Sequence, residues 1–402
     1  MMSTLAHHPP VPLAGIRVLD LSRVLAGPWC SQTLADLGAD VIKVERPGVG
    51  DDTRAWGPPY MKDGAGADTS ESAYFLSCNR GKRSITLDLA TSEGQATVKR
   101  LACESDILLE NYKVGQLARY GLDPASLAQL NPRLIYCSIT GFGQTGPWAH
   151  RPGYDFVIQG LSGFMSVTGE RDGLPGAGPQ KAGVAVSDLF SGMYACVAIL
   201  AALQQRHTNG RGQHIDIALL DVMVAAMANM NTNYLASGAA PVRQGNAHQN
   251  VVPYQTFACA DGHMIVAIGN DGQLRNFCAA AGLPPLADDP RFKTNDLRIR
   301  HRDALIPLIE AAMHGRTKAA WSELLEKAGV PHGPINRLDE VFENPQVQAR
   351  GLRIDLPHAI GAGAVAKLVG SPIRMSAATV GSDRPPPLLG QHNAEILGDG
   401  PG

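Results

Sequence analysis

The chain has 402 residues, of which 44% are hydrophobic, and its 35 Lys and Arg nearly balance its 37 Asp and Glu. This length allows two domains and a large core, and the balanced charge does not favour binding to nucleic acid or to an anionic membrane. Seven cysteines occur without a C-x-x-C pair or a His at metal-binding spacing. They predict reduced thiols and no metal site.

The N-terminal sequence MMSTLAHHPPVP has no basic region followed by an apolar stretch, so no signal peptide is predicted. The longest apolar run, within residues 183–206, falls short of the ~20 residues that span a bilayer. We therefore expect a cytoplasmic protein with no membrane segment.

Predicted strands and helices alternate through the first 140 residues. A strand at 16–21, a helix at 29–37 and a strand at 41–44 form a βαβ unit, which requires parallel strands. The same pattern continues with a strand at 84–89, a helix at 92–103, a strand at 107–110, helical stretches at 114–120 and 124–130, and a strand at 134–139. This alternation predicts an α/β, doubly wound, Rossmann-like domain with a parallel sheet.

Dinucleotide binding is one alternative for such a domain. The first turn, R-V-L-A-G-P at 23–28, lacks the G-x-G-x-x-G that brings a pyrophosphate close to the backbone. Glu45 ends the second strand, where an acidic residue would bind a ribose hydroxyl, but it could equally be a solvated loop carboxylate. An NAD(P)-dependent dehydrogenase is therefore disfavoured, although the carboxyl edge of the sheet could bind another phosphate-bearing ligand.

Basic residues follow several of the predicted strand ends. Each one alone could be a surface charge, whereas together, at one edge of the sheet, they could bind the phosphates of a ligand such as coenzyme A. These residues are Arg23, Arg46, Lys82, Arg83 and Arg119.

The segment 183–206 predicts a buried helix that begins near Ser187 and Asp188. Asp188 could be a helix N-cap, because Asp oxygens accept first-turn N–H groups. It could also be a nucleophile that forms covalent acyl intermediates. Before this helix lies a glycine-rich stretch, 141–183, which is typical of a functional loop system. Within it, Tyr154 and Asp155 are either structural or functional polar residues.

From Pro12 to about His392 the chain resembles the class III (CaiB/BaiF-type) coenzyme A transferases. No single motif is specific, but their order and spacing are. The matching segments are LDLSRVLAGP (19–28), VIKVERPG (41–48), NRGKRSITLDL (79–89), ENY (110–112), GYD (153–155), DLFSG (188–192), TNGRGQ (208–213) and PLLGQH (387–392).

The resemblance implies a function for several residues. Asp188 would be the catalytic nucleophile. The coenzyme A binding residues would be Arg23, Val24, Ala26, Arg46, Leu87, Asn111, Tyr112 and Arg119. Residues that bind or support the substrate would be Tyr154, Asp155, Gln159, His248 and Gln249.

The resemblance also implies an architecture. A large domain would span 1–220, a smaller α/β domain would span 221–330, and the segment 331–402 would return to the large domain. Two chains would form an interlaced homodimer. Acyl-CoA and carboxylic acids would be substrates, with no permanently bound cofactor, no metal, no nucleic acid and no membrane.

In the implied mechanism, Asp188 attacks an acyl-CoA thioester and forms a mixed anhydride and then an aspartyl-CoA thioester. One alternative is an α-methylacyl-CoA racemase, in which a His would occupy the position of Tyr154 and move the α-proton. Another is a non-catalytic CoA-binding protein, which would most simply have lost the nucleophile. Both are less favoured, because Tyr154 is not a His and Asp188 is present.

The acids exchanged are suggested by the small-domain loop. Formyl-CoA transferase has a run of four glycines there, whereas this chain has GNAHQNVVPYQTF at 245–257, with polar residues at His248, Gln249 and Asn250. Several segments resemble the succinate–hydroxymethylglutarate CoA-transferase branch. We therefore expect succinyl-CoA as donor and a C4–C6 dicarboxylate as acceptor, with the loop or Arg54 binding the second carboxylate.

Overall fold

The computed structural model describes residues 11–398. Its strands are β1 Arg17–Asp20, β2 Asp40–Glu45, β3 Tyr60–Lys62, β4 Asp68–Ser72, β5 Lys82–Thr86, β6 Ile107–Glu110, β7 Ile135–Thr140, β8 His214–Ala218, β9 Tyr254–Cys259, β10 Gly262–Ala267, β11 His332–Pro334, β12 Arg353–Pro357 and β13 Val365–Val369.

The α-helices are α1 Ala26–Asp36, α2 Ala73–Ser77, α3 Ser92–Cys103, α4 Pro124–Leu130, α5 Asp155–Leu161, α6 Phe164–Val167, α7 Val186–Asn209, α8 Leu219–Ala226, α9 Asn229–Ser237, α10 Asp271–Ala281, α11 Pro284–Asp288, α12 Asn295–Arg300, α13 Arg302–Met313, α14 Lys318–Ala328, α15 Leu338–Glu343, α16 Pro345–Ala349 and α17 Asn393–Leu397. Short 3₁₀ turns occupy Asp52–Ala55 and Leu117–Tyr120.

Six parallel strands form the main sheet, in the order β5-β2-β1-β6-β7-β8. This confirms the predicted α/β class with a parallel sheet. From β1 the order runs outward to β5 on one side, and from β6 to β8 on the other. The strand order therefore reverses between β1 and β6, and ligands of such sheets bind outside the carboxyl ends of the strands at this reversal.

Two predicted element boundaries were wrong in ways that affect the site. β5 begins at Lys82 instead of residue 84, so Lys82 and Arg83 open the strand at its amino end. α1 begins at Ala26 instead of residue 29, so the first turn of this helix reaches the carboxyl edge of the sheet.

Helix α7 buries one face against the rest of the unit, where its buried residues include Ser191, Gly192, Ala195 and Ile199. A Cβ added at Gly192 would lie 2.5 Å from the carbonyl oxygen of Ala26, so glycine permits α1 and α7 to approach closely. By length and composition alone the helix could cross a membrane, contrary to the sequence-based expectation. Of its most apolar window 44% is buried, and a single such helix is weak evidence for a membrane span, because core helices of other proteins pass the same test.

By contacts, the described residues group into two units. The first contains 11–162, 182–228 and 345–398, and the second contains 163–181 and 229–344. The predicted domains 1–220 with 331–402, and 221–330, remain a prediction, and residues 1–10 and 399–402 lie outside the description. The units differ from those domains in assigning 163–181 and 331–344 to the second unit and 221–228 to the first.

Each unit has its own core. In the second unit, the antiparallel sheet β11-β10-β9 contributes to a core with surrounding helices that includes Phe257, Phe277 and Trp321. In the first unit, the C-terminal segment covers the edge strand β5. There Ser84 N donates to His392 Nδ1 at 3.1 Å, and His392 N donates to Ser84 O at 2.9 Å. These bonds satisfy backbone groups that an open sheet edge would expose.

Candidate active site

A cleft of about 190 Å³ lies at the carboxyl ends of the parallel strands in the first unit. A second cleft, of about 470 Å³, adjoins it, because both are lined by Arg23, Asp52, Tyr112 and Gln116. The first cleft also includes Val24, Ala26, Asn111, Tyr154, Asp155 and Asp188. The second includes Arg46 and Leu87. The structure thus brings together most of the site residues predicted from the sequence.

Asp188 is the third residue of α7, and the N-cap position belongs to Ala185, which makes no side-chain cap hydrogen bond. The prediction that Asp188 could be the N-cap is therefore wrong. Among residues 11–398, no group donates a hydrogen bond to its carboxylate. Burial, and secondarily the negative charge of Asp155, raises the pKa of Asp188 to about 7. The carboxylate is thus unpaired and poorly solvated in the cleft.

Asp155, the first residue of α5, accepts hydrogen bonds from the N-terminal residues of α7. Its Oδ1 accepts a hydrogen bond from Ser187 N at 2.8 Å, and its carbonyl oxygen accepts one from Ser187 Oγ at 3.1 Å. Its Oδ2 accepts from Gln159 Nε2 at 2.7 Å, and Gln159 Oε1 accepts from Ala182 N at 2.9 Å. Asp155 and Gln159 therefore fix the backbone on which Asp188 is carried.

Gly141 and Gly153 allow two backbone segments to cross in close contact just before Tyr154 and Asp155. A Cβ added at Gly153 would lie 2.4 Å from Gly141 Cα, and one at Gly141 would lie 2.5 Å from Gly153 Cα. The two segments therefore cross with backbone against backbone, which no larger residue permits. Tyr154 follows directly, lines the cleft and is 68% exposed.

Asn111 and Tyr112 follow β6 and contact the turn after β1. Asn111 Oδ1 accepts from Arg23 N at 2.9 Å, and Asn111 Nδ2 donates to Arg23 O at 2.7 Å. The Arg23 guanidinium pairs with Asp52 at 3.0 Å and lies 5.3 Å from the centroid of the Tyr112 ring. The two turns on either side of the strand-order reversal are thus joined directly.

Three basic residues predicted for the carboxyl edge are not in these clefts. Lys82 is fully buried, where its Nζ pairs with Asp20 at 3.2 Å. Arg83 pairs with Asp40 at 2.5 Å at the opposite end of the strand. These two predictions were wrong because β5 begins earlier than expected. Arg119 is exposed in the 3₁₀ turn and lies outside both clefts.

Glu45 and Arg54 form a buried ion pair. Arg54 Nε lies 2.7 Å from Glu45 Oε2, and Arg54 Nη1 lies 3.0 Å from Glu71 Oε2. Arg54 Nη2 also donates to Pro387 O at 3.0 Å. Glu45 is thus a buried, paired carboxylate and not a solvated loop residue, and the Arg54 guanidinium is engaged by two carboxylates and a carbonyl oxygen. Binding of a substrate carboxylate by Arg54 stays a prediction that these contacts disfavour.

The sequence interpretation missed some residues of the first cleft. Lys113 and Arg151 supply further positive charge there, and Gln116 lines both clefts. Lys113 directly follows the ENY segment and Arg151 lies two residues before GYD, so proximity to these motifs could have indicated both. Tyr74 had no such signal. Tyr74 lines neither cleft, but burial and then the charge of Asp188 raise its pKa to about 12.

The predicted loop residues His248, Gln249 and Asn250 lie in the second unit, where their side chains make local contacts. Gln249 Nε2 donates to Val242 O. Asn250 Oδ1 accepts from Asn229 Nδ2 and Asn233 Nδ2 at 3.1 and 2.9 Å. His248 Nδ1 accepts from Asn250 N at 3.0 Å. All three side chains thus make hydrogen bonds near the loop, and within residues 11–398 His248 does so through only one of its two ring nitrogens.

A parallel α/β sheet, an unpaired carboxylate near a helix N-terminus and surrounding basic residues are the features expected of an enzyme that acts on a phosphate-bearing substrate by nucleophilic catalysis. The model of CoA-transferase family III matches residues 13–393. The chain belongs to this family and is a class III CoA-transferase, which confirms the resemblance seen in the sequence.

Relatives and solved structures match nearly the whole chain. A succinate–glutarate CoA-transferase of Agrobacterium fabrum is 53% identical over 388 residues, covering 96% of this chain and 95% of the relative. A succinyl-CoA:glutarate CoA-transferase of Homo sapiens is 43% identical, covering 96% of this chain and 85% of the relative. The crystal structure of a CAIB/BAIF family protein from Brucella suis superimposes with a TM-score of 0.83 at 50% identity, covering 96% and 98%.

Proposed function

We propose that this enzyme transfers coenzyme A from succinyl-CoA to a C4–C6 dicarboxylate, with glutarate as the first acceptor to test. The unpaired Asp188 carboxylate in the cleft supports the reaction. The choice of acids is supported by relatives whose names specify succinate or succinyl-CoA and glutarate.

In the proposed mechanism, Asp188 attacks the thioester carbonyl of succinyl-CoA, which gives a mixed anhydride and the CoA thiolate. The thiolate attacks the aspartyl carbonyl, which gives an aspartyl-CoA thioester and releases succinate. The acceptor carboxylate then attacks that thioester and forms a second anhydride and thiolate. The thiolate attacks the acceptor carbonyl, releasing the new acyl-CoA and regenerating Asp188. Burial favours these steps, because a poorly solvated carboxylate is a stronger nucleophile than a hydrated one.

Coenzyme A would lie along the two adjoining clefts. Arg23, Arg46, Lys113 and Arg151 place positive charge there for its phosphates. Leu87 and Tyr112 offer apolar surface in the second cleft for its adenine ring. Arg119 is not among the proposed coenzyme A binding residues, because it lies outside both clefts.

A racemase remains the alternative reaction. It would need a base at residue 154 to remove the α-proton, and the phenol of Tyr154 is a poor proton acceptor at neutral pH. A non-catalytic CoA-binding protein is disfavoured, because the nucleophile is present.

We also propose the interlaced homodimer implied by the resemblance. One face of α5 and α7 exposes apolar side chains, a pattern that marks interaction surfaces. These are Phe156, Val157, Leu161, Phe190, Met193, Tyr194 and Val197. A Val197→Glu variant should reduce the dimer fraction in light scattering coupled to size exclusion, whereas a monomeric wild type would contradict this assembly.

Oxygen-18 labelling tests the reaction directly. Each turnover in the proposed mechanism moves one carboxylate oxygen from the acceptor to Asp188. Incubation with succinyl-CoA and oxygen-18 glutarate should therefore label the peptide that contains Asp188, and Asp188→Ala should lose both labelling and transfer. Active wild-type enzyme without label in Asp188 would contradict the mechanism. Rapid exchange of the α-proton of a 2-methylacyl-CoA in deuterated water, without an acceptor, would favour the racemase.

A further inference from the structure

Val24 has an unusual backbone conformation for its residue type. Its φ is +69°, in the left-handed region, which is strained for a β-branched side chain. Val24 lies in the turn between β1 and α1 and lines the cleft that contains Asp188. Such a conformation persists only where surrounding contacts hold it.

A buried ion pair, Lys43–Asp51, makes hydrogen bonds to this turn. Lys43 Nζ donates to Ser22 O at 2.9 Å and to Asp51 Oδ2 at 2.8 Å. Val24 N donates to Asp51 Oδ1 and Oδ2 at 3.2 and 3.3 Å. The side chains of Lys43 and Asp51 are both 0% exposed. The pair therefore contacts the backbone two residues before the strained residue and at the strained residue itself.

The charges of this pair are maintained by their surroundings. Burial opposes ionisation of Asp51, but Lys43 and hydrogen bonds from Thr53 outweigh it and lower the pKa of Asp51 to about 2. Replacing a buried ion pair with apolar residues of similar volume is often neutral or stabilising, so stability alone does not account for its presence. Its direct contact with a strained turn in the cleft suggests a role in positioning.

The turn leads directly into α1. Within the described chain, no side chain caps the N-terminus of this helix, and its first residue, Ala26, lines the same cleft as Asp188. A helix N-terminus carries partial positive charge and free N–H groups. Val24 thus lies two residues before the first residue of this helix, and both residues line the cleft.

We propose that the buried Lys43–Asp51 pair is a positioning device, which holds Val24 in its left-handed conformation and so fixes the start of α1 for acyl-CoA and its reaction with Asp188. Lys43 and Asp51 are positioning residues in this scheme. The inference rests on the proposed function of the cleft.

The test measures the effect of Asp51→Asn in two backgrounds. Glycine adopts a φ of +69° without strain, so in a Val24→Gly background the turn depends much less on the ion pair. In the otherwise wild-type chain, Asp51→Asn should lower kcat about 10- to 100-fold, because small misplacements of reacting groups have effects of this size. In the Val24→Gly background, the same substitution should lower kcat by less than about threefold.

Glu71→Gln is the matched control, because it also neutralises a buried carboxylate but one that binds Arg54 and not the turn. Its effect on kcat should be equal in both backgrounds. Asp51→Glu, which retains the charge pair but shifts it, supplies the same comparison if Asp51→Asn does not fold. Equal effects of the Asp51 substitution in both backgrounds would overturn the proposal. The oxygen-18 label in wild-type Asp188 is measured in parallel, so failure of the proposed function is recognised separately.

Discussion

The Asp155 carboxylate accepts a hydrogen bond from the backbone N–H of Ser187 at 2.8 Å, one residue before Asp188. One side chain therefore does two things: it caps helix α7 and places a negative charge near the candidate nucleophile. Since like charges disfavour each other's ionisation, Asp155 contributes to the raised pKa of Asp188, although burial contributes more.

This relationship predicts the pH dependence of transfer. Asp188 must be ionised to attack, so kcat/KM should rise with pH through a pKa of about 7. Asp155→Asn retains an acceptor for Ser187 N but removes the negative charge. The rising limb should therefore move to lower pH. Asp52→Asn, which neutralises another carboxylate lining the cleft, should leave the limb in place. An unchanged limb in Asp155→Asn would show that burial alone sets the pKa.

The same pKa shift predicts a pH-dependent stability. The folded state keeps a proton on Asp188 up to about pH 7, whereas the unfolded chain loses it near 3.8. Between these values the folded state binds more protons, so the contribution of Asp188 to stability falls as pH rises. Asp188→Asn has no titrating group at this position, so its stability does not fall in this way as pH rises. In calorimetry, the Tm of the variant minus the Tm of wild type should therefore be lower at pH 4 than at pH 8. A Tm difference that does not change with pH would contradict the raised pKa of Asp188.

The alternation of strands and helices was sufficient to predict the parallel sheet, because the period of apolar residues depends on local sequence. It also placed Arg23 at the carboxyl edge of that sheet, whereas the roles of Asn111 and Asp188 were implied by the family resemblance. The capping of α7 by Asp155 could not be predicted in the same way, because that hydrogen bond joins residues 32 apart in sequence. Lys82 and Arg83 were misplaced for a related reason: the backbone pairing of β5 with β2 begins at Lys82, and their side chains pair with Asp20 and Asp40, which are distant in sequence.

The crossing of Gly141 and Gly153 predicts a local cost of adding a methyl group. Gly153→Ala should destabilise the protein by about 1–3 kcal/mol, because its Cβ would meet backbone atoms that cannot move aside easily. Activity should fall further, since Tyr154 and Asp155 follow directly. Gly183→Ala is the control, because a Cβ there meets nothing within 4 Å. Stability is measured by chemical denaturation, and activity is measured as kcat/KM. If Gly153→Ala and Gly183→Ala have the same stability and activity, the close backbone contact of Gly141 and Gly153 does not require glycine.

Among residues 248–250, His248 is the candidate for binding a ligand, because one of its ring nitrogens is free, within residues 11–398, to donate a hydrogen bond. Its Nδ1 accepts a hydrogen bond from Asn250 N, so the proton of the neutral ring lies on Nε2, which makes no hydrogen bond with residues 11–398. The Gln249 amide is bound to Val242 O, and Asn250 Oδ1 is bound by two asparagines. The earlier expectation that any of the three could select a dicarboxylate therefore narrows to His248.

His248→Ala should raise the acceptor KM for glutarate about tenfold, the effect of losing a charge-assisted hydrogen bond worth about 1.5 kcal/mol. It should leave KM for a monocarboxylate of equal chain length almost unchanged. His248→Gln restores a donor and should recover part of the loss. Gln249→Ala and Asn250→Ala should lower Tm or affect both acceptors alike, because their side chains hold the loop. If His248→Ala also affects both acceptors equally, the loop contributes structure without selecting the acid, and the second carboxylate must be bound elsewhere.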